Sequence, residues 1–352
     1  MTQVEEVVAR RQISALRGAL GVAAVTAGTF TVVTSEMLPV GLLTPIGAAL
    51  RVTEGRAGLA LTVTGSIAAL SAPLVTAMLR RVERRLVLCG LMAVLALGNL
   101  GTACAPGFSV LIGARVLVGV GFLGALAGWR MVFVAAACLA LAVLVAMAAL
   151  LPRLPATEAL PLRDVLRLTR QPGLRVALLV VAFLVTGHFA AYTYVRPVLE
   201  EVSGVDAATI GTLLLVYGVA GVAGNFAAGA VAARTPRGTL VAIGSILAAA
   251  AIALPAPGAS LTQVVVLMIV WGVSYGGVSV STQSWVFAAS PQAKEGASAL
   301  FAGVFNAAIA LGSLTGGVAA DEIGVAAAMW LGGTLAVVAV LIAALGKGVW
   351  RC

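Results

Sequence analysis

The chain has 352 residues, 61% hydrophobic and 10% charged, with a mean hydropathy of +1.10. A water-soluble domain carries about 25% charged residues, so a soluble fold is excluded and the chain reads as an all-α polytopic membrane protein. The net charge of +9 does not point to nucleic acid, because the arginines are scattered through short loops, where they act as signals that hold those loops on the cytoplasmic side.

Met1 to Arg17 is charged and polar, and the apolar run after it is too long for the core of a secretion signal, so no cleaved signal is expected. Apolar spans follow at 18–49, 57–79, 86–105, 108–127, 130–151, 176–198, 208–232, 238–255, 261–287, 296–319 and 325–346. Most approach or exceed the roughly 20 residues that cross a hydrocarbon core, which predicts about eleven transmembrane helices and a multi-pass protein of the cell (inner) membrane. Basic turns separate some of them, RRVERR at 80–85 and RTPR at 234–237. The longest polar stretch, 152–175, holds Arg153, Arg163, Arg167, Arg170 and Arg175 against Glu158 and Asp164. It divides the chain into an N-terminal bundle (1–151), a basic cytoplasmic linker (152–175) and a C-terminal six-helix bundle (176–352).

The first span contains TFTVVTSEMLPVGLLTPIG, Thr29 to Gly47, with Glu36 inside it and Pro39 and Pro45 beyond. A carboxylate in hydrocarbon is costly, so Glu36 faces a protein cavity or is protonated. Exposed to each side in turn, it would carry protons, and the prolines loosen the helix beside it. The alternative is a glutamate fixed by hydrogen bonds near the outer interface. Arg115 lies within the fourth span and is either a buried anion-holding guanidinium or one reaching the interface.

His188, the one histidine, stands with Tyr192 and Tyr194 in the sixth span. It is either a titrating cavity residue or a satisfied structural one. Arg196, Glu200 and Glu201 close that span and read as interfacial. Asn225, Gln283 and Asn306 are polar residues in apolar helices, which either line a cavity or bond neighbouring helices. Cys89, Cys104 and Cys138 read as apolar filler, and the tryptophans as interfacial or packing residues. GVAGVAGNFAAG (218–229) is small-residue helix packing rather than a phosphate loop. No metal-binding spacing and no catalytic constellation is present, so an enzyme is not expected.

The halves repeat. Gly58, Gly65, Arg81 and Arg84 recur 153 residues later as Gly211, Gly218, Arg234 and Arg237. Further on, Gly128 aligns with Gly324 at an offset of 196. Arg81 to Gly128 spans 47 residues and Arg234 to Gly324 spans 90, so the first half is short by 43. Internal repeats are a construction rule of secondary transporters.

These features carry a resemblance to the major facilitator superfamily, in the bacterial drug:proton antiporter group and its sugar- and nucleoside-efflux branch. TSEMLPVGLLTPI resembles the branch's opening span. LIGARVLVGVG, with Arg115, Gly119 and Gly121, resembles the family's fourth-helix motif. LGALAGWRMVF resembles the entry to its sixth helix, and TGHFAAYTYVRPVLEEVSG, WVFAAS and GVFNAAIALGSLTGG resemble its seventh, tenth and eleventh. Two departures stand out. Arg80 and Glu83 occupy places where the family's loop usually has aspartate and glycine, and only FLGALA separates Gly121 from Gly128 where the family has roughly 45 residues.

The resemblance implies two related bundles with the solute between them, both chain ends in the cytoplasm, and proton-driven efflux of a sugar, nucleoside or drug by a monomer without a cofactor. Its partners would be the bilayer, the solute and protons. It implies a coupling role for Arg115, beside Glu36 and His188 as proton or solute residues. Tyr192, Tyr194, Asn225, Gln283 and Asn306 are the remaining cavity candidates. The missing block leaves two topologies: a straight helix at 108–127 inverts every later span, whereas a bend near Gly124 and Gly128 preserves their orientation. A chain so shortened could instead be transport-defective, with a binding role or none.

Overall fold

The computed structural model describes residues 23–24, 27–28, 31–32, 35, 37–78, 84–118, 128–150, 162–232 and 234–346. Among these residues the chain is helical throughout, without a strand. The helices are α1 (Met37–Leu50), α2 (Glu54–Met78), α3 (Arg84–Ala103), α4 (Phe108–Val118), α5 (Gly128–Leu150), α6 (Leu162–Arg167), α7 (Pro172–Tyr192), α8 (Val195–Glu201), α9 (Ala207–Ala232), α10 (Pro236–Ala253), α11 (Leu261–Gly276), α12 (Val278–Ala289), α13 (Lys294–Glu322) and α14 (Val325–Leu345). Among the described residues six segments are long and apolar enough to cross a membrane, from Pro172–Glu201 to Val325–Leu345. They coincide with the six spans predicted after the linker. The choice between a straight and a bent 108–127 falls on 119–127, outside the described residues.

Two expected spans are broken internally. The sixth, 176–198, is α7 and α8 separated by a turn at Thr193 and Tyr194. Pro197 lacks the amide hydrogen that would bond back to Thr193, so the helix restarts rather than continuing through. The ninth, 261–287, is α11 and α12 joined at Gly277. Breaks inside spans survive only where protein or polar partners satisfy the freed backbone. Here the Gly277 amide donates to Ser274 O at 3.2 Å.

The described residues form two compact units. In one, drawn from Met1–Leu38 and Met78–Glu158, α3 packs on α4 and α5. Buried Asn99 donates from Nδ2 to Ser35 Oγ at 3.5 Å. The other takes Pro39–Ala77 and Ala159–Cys352. At its centre α7 packs on α13 and α14, with α9 on α11 and α10 on α14.

Close backbone approach sets this packing. A side chain at Gly224 would run into the Val273 carbonyl, and one at Gly276 into that of Gly221, so α9 and α11 meet backbone to backbone. The GVAGVAGNFAAG stretch is thus a helix-packing face, as its composition predicts.

Helix ends are closed by specific groups. Ser260 and Gln263 form a capping box at the start of α11. Arg237 of the RTPR turn donates from Nε to Ala343 O at 2.7 Å and from Nη2 to Ala344 O. It thereby satisfies terminal carbonyls of α14 and places a cation at the negative end of that helix.

Candidate functional site

The polar-aromatic centre of the second unit is built on His188. It lies late in α7, fully buried. Its Nδ1 accepts from the Trp271 indole N–H at 3.3 Å, which leaves the proton of the neutral ring on Nε2. That Nε2 is buried and has no hydrogen-bond partner. The Tyr275 ring stacks on the imidazole at 3.4 Å between centroids and 6° between planes. Tyr192, one turn on from His188, stacks at 5.0 Å and 20°.

Tyr217 of α9 extends the cluster by stacking on Tyr192 at 4.7 Å. Its hydroxyl is likewise buried without a partner. Trp271 stands edge-on to His188, Tyr192 and Tyr217 at 5.7, 5.9 and 5.9 Å. Edge-on and stacked pairs each add about 0.5–1.5 kcal/mol beyond area burial, so the rings hold one another in place. The two buried polar atoms without partners cost free energy when left alone. Chemically the cluster offers ring faces for stacking, an N–H donor and a hydroxyl that donates or accepts.

The other candidates are distributed. Tyr194 turns away from His188; its hydroxyl donates to Ser313 O at 2.8 Å. Asn306 donates to Ala302 O of its own helix at 2.9 Å and is half-buried. Gln283 on α12 is half-buried and Asn225 on α9 is exposed. Arg115 is fully buried on α4, in the first unit. This places its guanidinium away from the surface, contrary to the interface-reaching alternative. Glu36 lies outside the described residues.

Trp271 and Trp285 are buried, so they are not interfacial, while Trp330 is half-exposed. Cys104, in the turn that follows α3, and Cys138 on α5 are exposed, a correction to the filler reading.

Trp271, Tyr217 and Tyr275 were not singled out as site residues from the sequence. A usable signal was there: the chain has four tyrosines, all within or at the end of spans in the second half; two of them stack on His188 and a third stacks on Tyr192.

An all-helical scaffold whose described helices include six long and apolar enough to cross a membrane is that of a polytopic membrane protein. The Major Facilitator Superfamily profile matches residues 120–299, and the chain belongs to that superfamily. It is 31% identical to the transcription regulatory protein OpdE of Pseudomonas aeruginosa over 92% of each chain. It is 27% identical to the purine ribonucleoside efflux pump NepI of Salmonella enteritidis over 89% of this chain and 90% of the pump. Among solved structures, the fold matches the nucleoside transporter NupG with a TM-score of 0.70 at 12% identity, covering 96% of this chain and 100% of that one. It also matches a bacterial homologue of the human lysosomal transporter Spinster with a TM-score of 0.65 at 15% identity, covering 94% and 95%.

The alignment with NepI runs over 356 positions and takes in 89% of this chain, about 313 residues, so it carries about 43 gap positions on this side in total.

Proposed function

We propose that the chain is a proton-coupled secondary exporter in the cell membrane, acting as a monomer without a cofactor on a small organic solute bearing a planar aromatic ring, with nucleosides the leading class and other ring-bearing drugs next. The observation that carries the reading is the His188 cluster, in which two buried polar atoms without partners stand among stacked rings. A nucleobase suits such a place, since its face stacks on tyrosine and its ring nitrogens and carbonyl oxygens accept from an imidazole N–H. A sugar offers the rings a C–H face but no planar π face with in-plane acceptors.

The names of NepI and NupG support the same class. Tyr192 and His188 make direct contact with the solute, and Trp271 positions the imidazole. Arg115 retains the proton-coupling role that the family resemblance gives it, and Glu36 the proton-carrying role that a carboxylate within an apolar span suggests. The bundle division at 152–175 supplies the two bodies whose relative motion exposes the solute to either side in turn.

One observation favours a second reading. The internal repeat leaves the first half 43 residues short, the equivalent of one helix end, a loop and the next helix start. A chain retaining the His188 cluster but lacking this block would bind solute without moving it.

The test is binding of a radiolabelled purine nucleoside to purified protein beside proton-driven flux in vesicles. Binding with flux supports export. Binding without flux, restored on inserting a 43-residue block from NepI after Gly121, supports the second reading. Absence of binding removes the nucleoside assignment.

A further inference from the structure

A second structured junction lies in the same unit, where the start of α2 meets the end of α13. Asp321, in the last turn of α13, accepts from the Thr53 hydroxyl at 2.8 Å and from the Gly55 amide at 2.9 Å. A carboxylate there opposes the dipole of its own helix but complements the N-terminus of α2, whose free amides need acceptors. Asp321 is therefore an N-cap for α2 supplied 268 residues away in sequence.

Two further contacts tighten the junction. Ser313 donates from Oγ to Gly58 O at 2.9 Å, while its own carbonyl accepts from the Tyr194 hydroxyl. A side chain at Gly58 would strike that hydroxyl, and one at Gly55 would strike Asp321. On the neighbouring side Arg196 of α8 donates from Nη1 to Gly41 O of α1 at 2.7 Å and from Nε to Glu200 at 3.0 Å.

Glu54 sits in the middle of this arrangement as the first residue of α2, ahead of the apolar stretch that begins at 57. Its Oε2 is buried and has no hydrogen-bond partner. The charged groups acting on it are Glu201 and Glu200 from α8, Asp321 from α13 and Arg196 from α8. Three are negative and one positive, and the positive one is already engaged by Glu200 and Gly41. The Thr53 hydroxyl and the Gly55 amide, on either side of Glu54, are both engaged by Asp321.

We propose that the α2–α13 junction is a proton-operated latch in which neutral Glu54 lets α2 dock on α13 and α8, and ionised Glu54 is repelled by Glu201, Glu200 and Asp321 so that the junction opens. This rests on the alternating-exposure reading above. Burial, then Glu201, Glu200 and Asp321, push the Glu54 carboxyl up to about 7 in the docked state against a partial offset from Arg196. Released from the junction it returns to its ordinary range near 4.5.

The sign follows from linkage. Docked Glu54 holds its proton more tightly than undocked Glu54. Docking is therefore fully favoured below the ordinary carboxyl range and weakens as pH rises towards 7. Solvent screening at this half-buried site limits the change to about tenfold in the docking equilibrium.

The latch is tested by spin labels at Val52 and Ile323 on a background lacking native cysteines, with distance distributions measured in lipid vesicles at pH 5.5 and pH 8. The ratio of short to long distances is expected to fall about tenfold at the higher pH. Glu54→Gln, which cannot ionise, is expected to keep the short distance at both. Glu201→Gln removes the strongest like charge and is expected to move the transition to lower pH.

A ratio that does not change with pH in the wild type, or a Glu54→Gln protein that keeps the wild-type pH response, overturns the latch. Nucleoside flux is recorded on the same vesicles. A pH-dependent distance without flux defeats the export reading and leaves the latch standing, whereas flux with a pH-independent distance does the reverse.

Discussion

His188 owes its character to what surrounds it more than to being a histidine. With Trp271 donating to Nδ1, the imidazole is held in one tautomer and one orientation, and its Nε2–H is aimed at whatever enters the cluster. Removing the ring by His188→Ala should lower nucleoside flux at saturating proton gradient by about tenfold or more and raise the half-saturating concentration. Trp271→Phe keeps an edge-on ring but frees Nδ1, so a smaller loss of about three- to tenfold is expected. Tyr217→Phe removes only a hydroxyl that has no protein partner, so protein stability should hold while nucleoside affinity falls. Equilibrium binding read beside thermal unfolding in detergent distinguishes these outcomes.

The tyrosines show how much of this was legible in the sequence. His188 and Tyr192 lie four residues apart and so share a helix face, which the sequence makes plain. Tyr217 and Tyr275 come from other helices, and only the packing of α7, α9 and α11 brings them in. Tyr194 is two residues from Tyr192, which on a helix already sets it on a different face; only the fold supplies its partner, the Ser313 carbonyl.

Among the elements, the α9–α11 contact is fixed by glycines whose backbones touch. Any side chain there pushes the helices apart, so Gly224→Ala should destabilise the protein by about 1–3 kcal/mol. It should also weaken nucleoside binding, because Tyr217 on α9 and Trp271 on α11 would separate. Ser260→Ala, which breaks the capping box of α11, should cost about 1 kcal/mol and leave binding intact. Comparing thermal unfolding with binding in the two variants separates a general loss of stability from a loss of register.

The helix positions were readable from apolar run length alone after the linker, where all six spans match. The breaks at Thr193–Tyr194 and at Gly277 were not, because both lie within runs of unbroken hydrophobicity, and a transfer scale does not register a missing amide or a glycine pair. The small-residue face was readable, since close helix approach in a membrane admits few other residues.

For the whole molecule, the internal repeat predicts a first half short by 43 residues. What the sequence leaves open is how the chain crosses the membrane after it, because positive-inside bias and helix continuity pull in opposite directions. If the linker is cytoplasmic, Thr169→Cys on a background lacking native cysteines should resist a membrane-impermeant maleimide applied outside intact cells and react once the membrane is opened. Labelling from outside would place the five linker arginines on the outer face and invert every later span.

The most direct test of transport uses the purified full chain in vesicles with an imposed proton gradient and a radiolabelled purine nucleoside. The account predicts saturable nucleoside movement against the proton flow, abolished by a protonophore and reduced about tenfold or more by His188→Ala. Movement no faster than in protein-free vesicles, from a chain that still unfolds cooperatively, would contradict it.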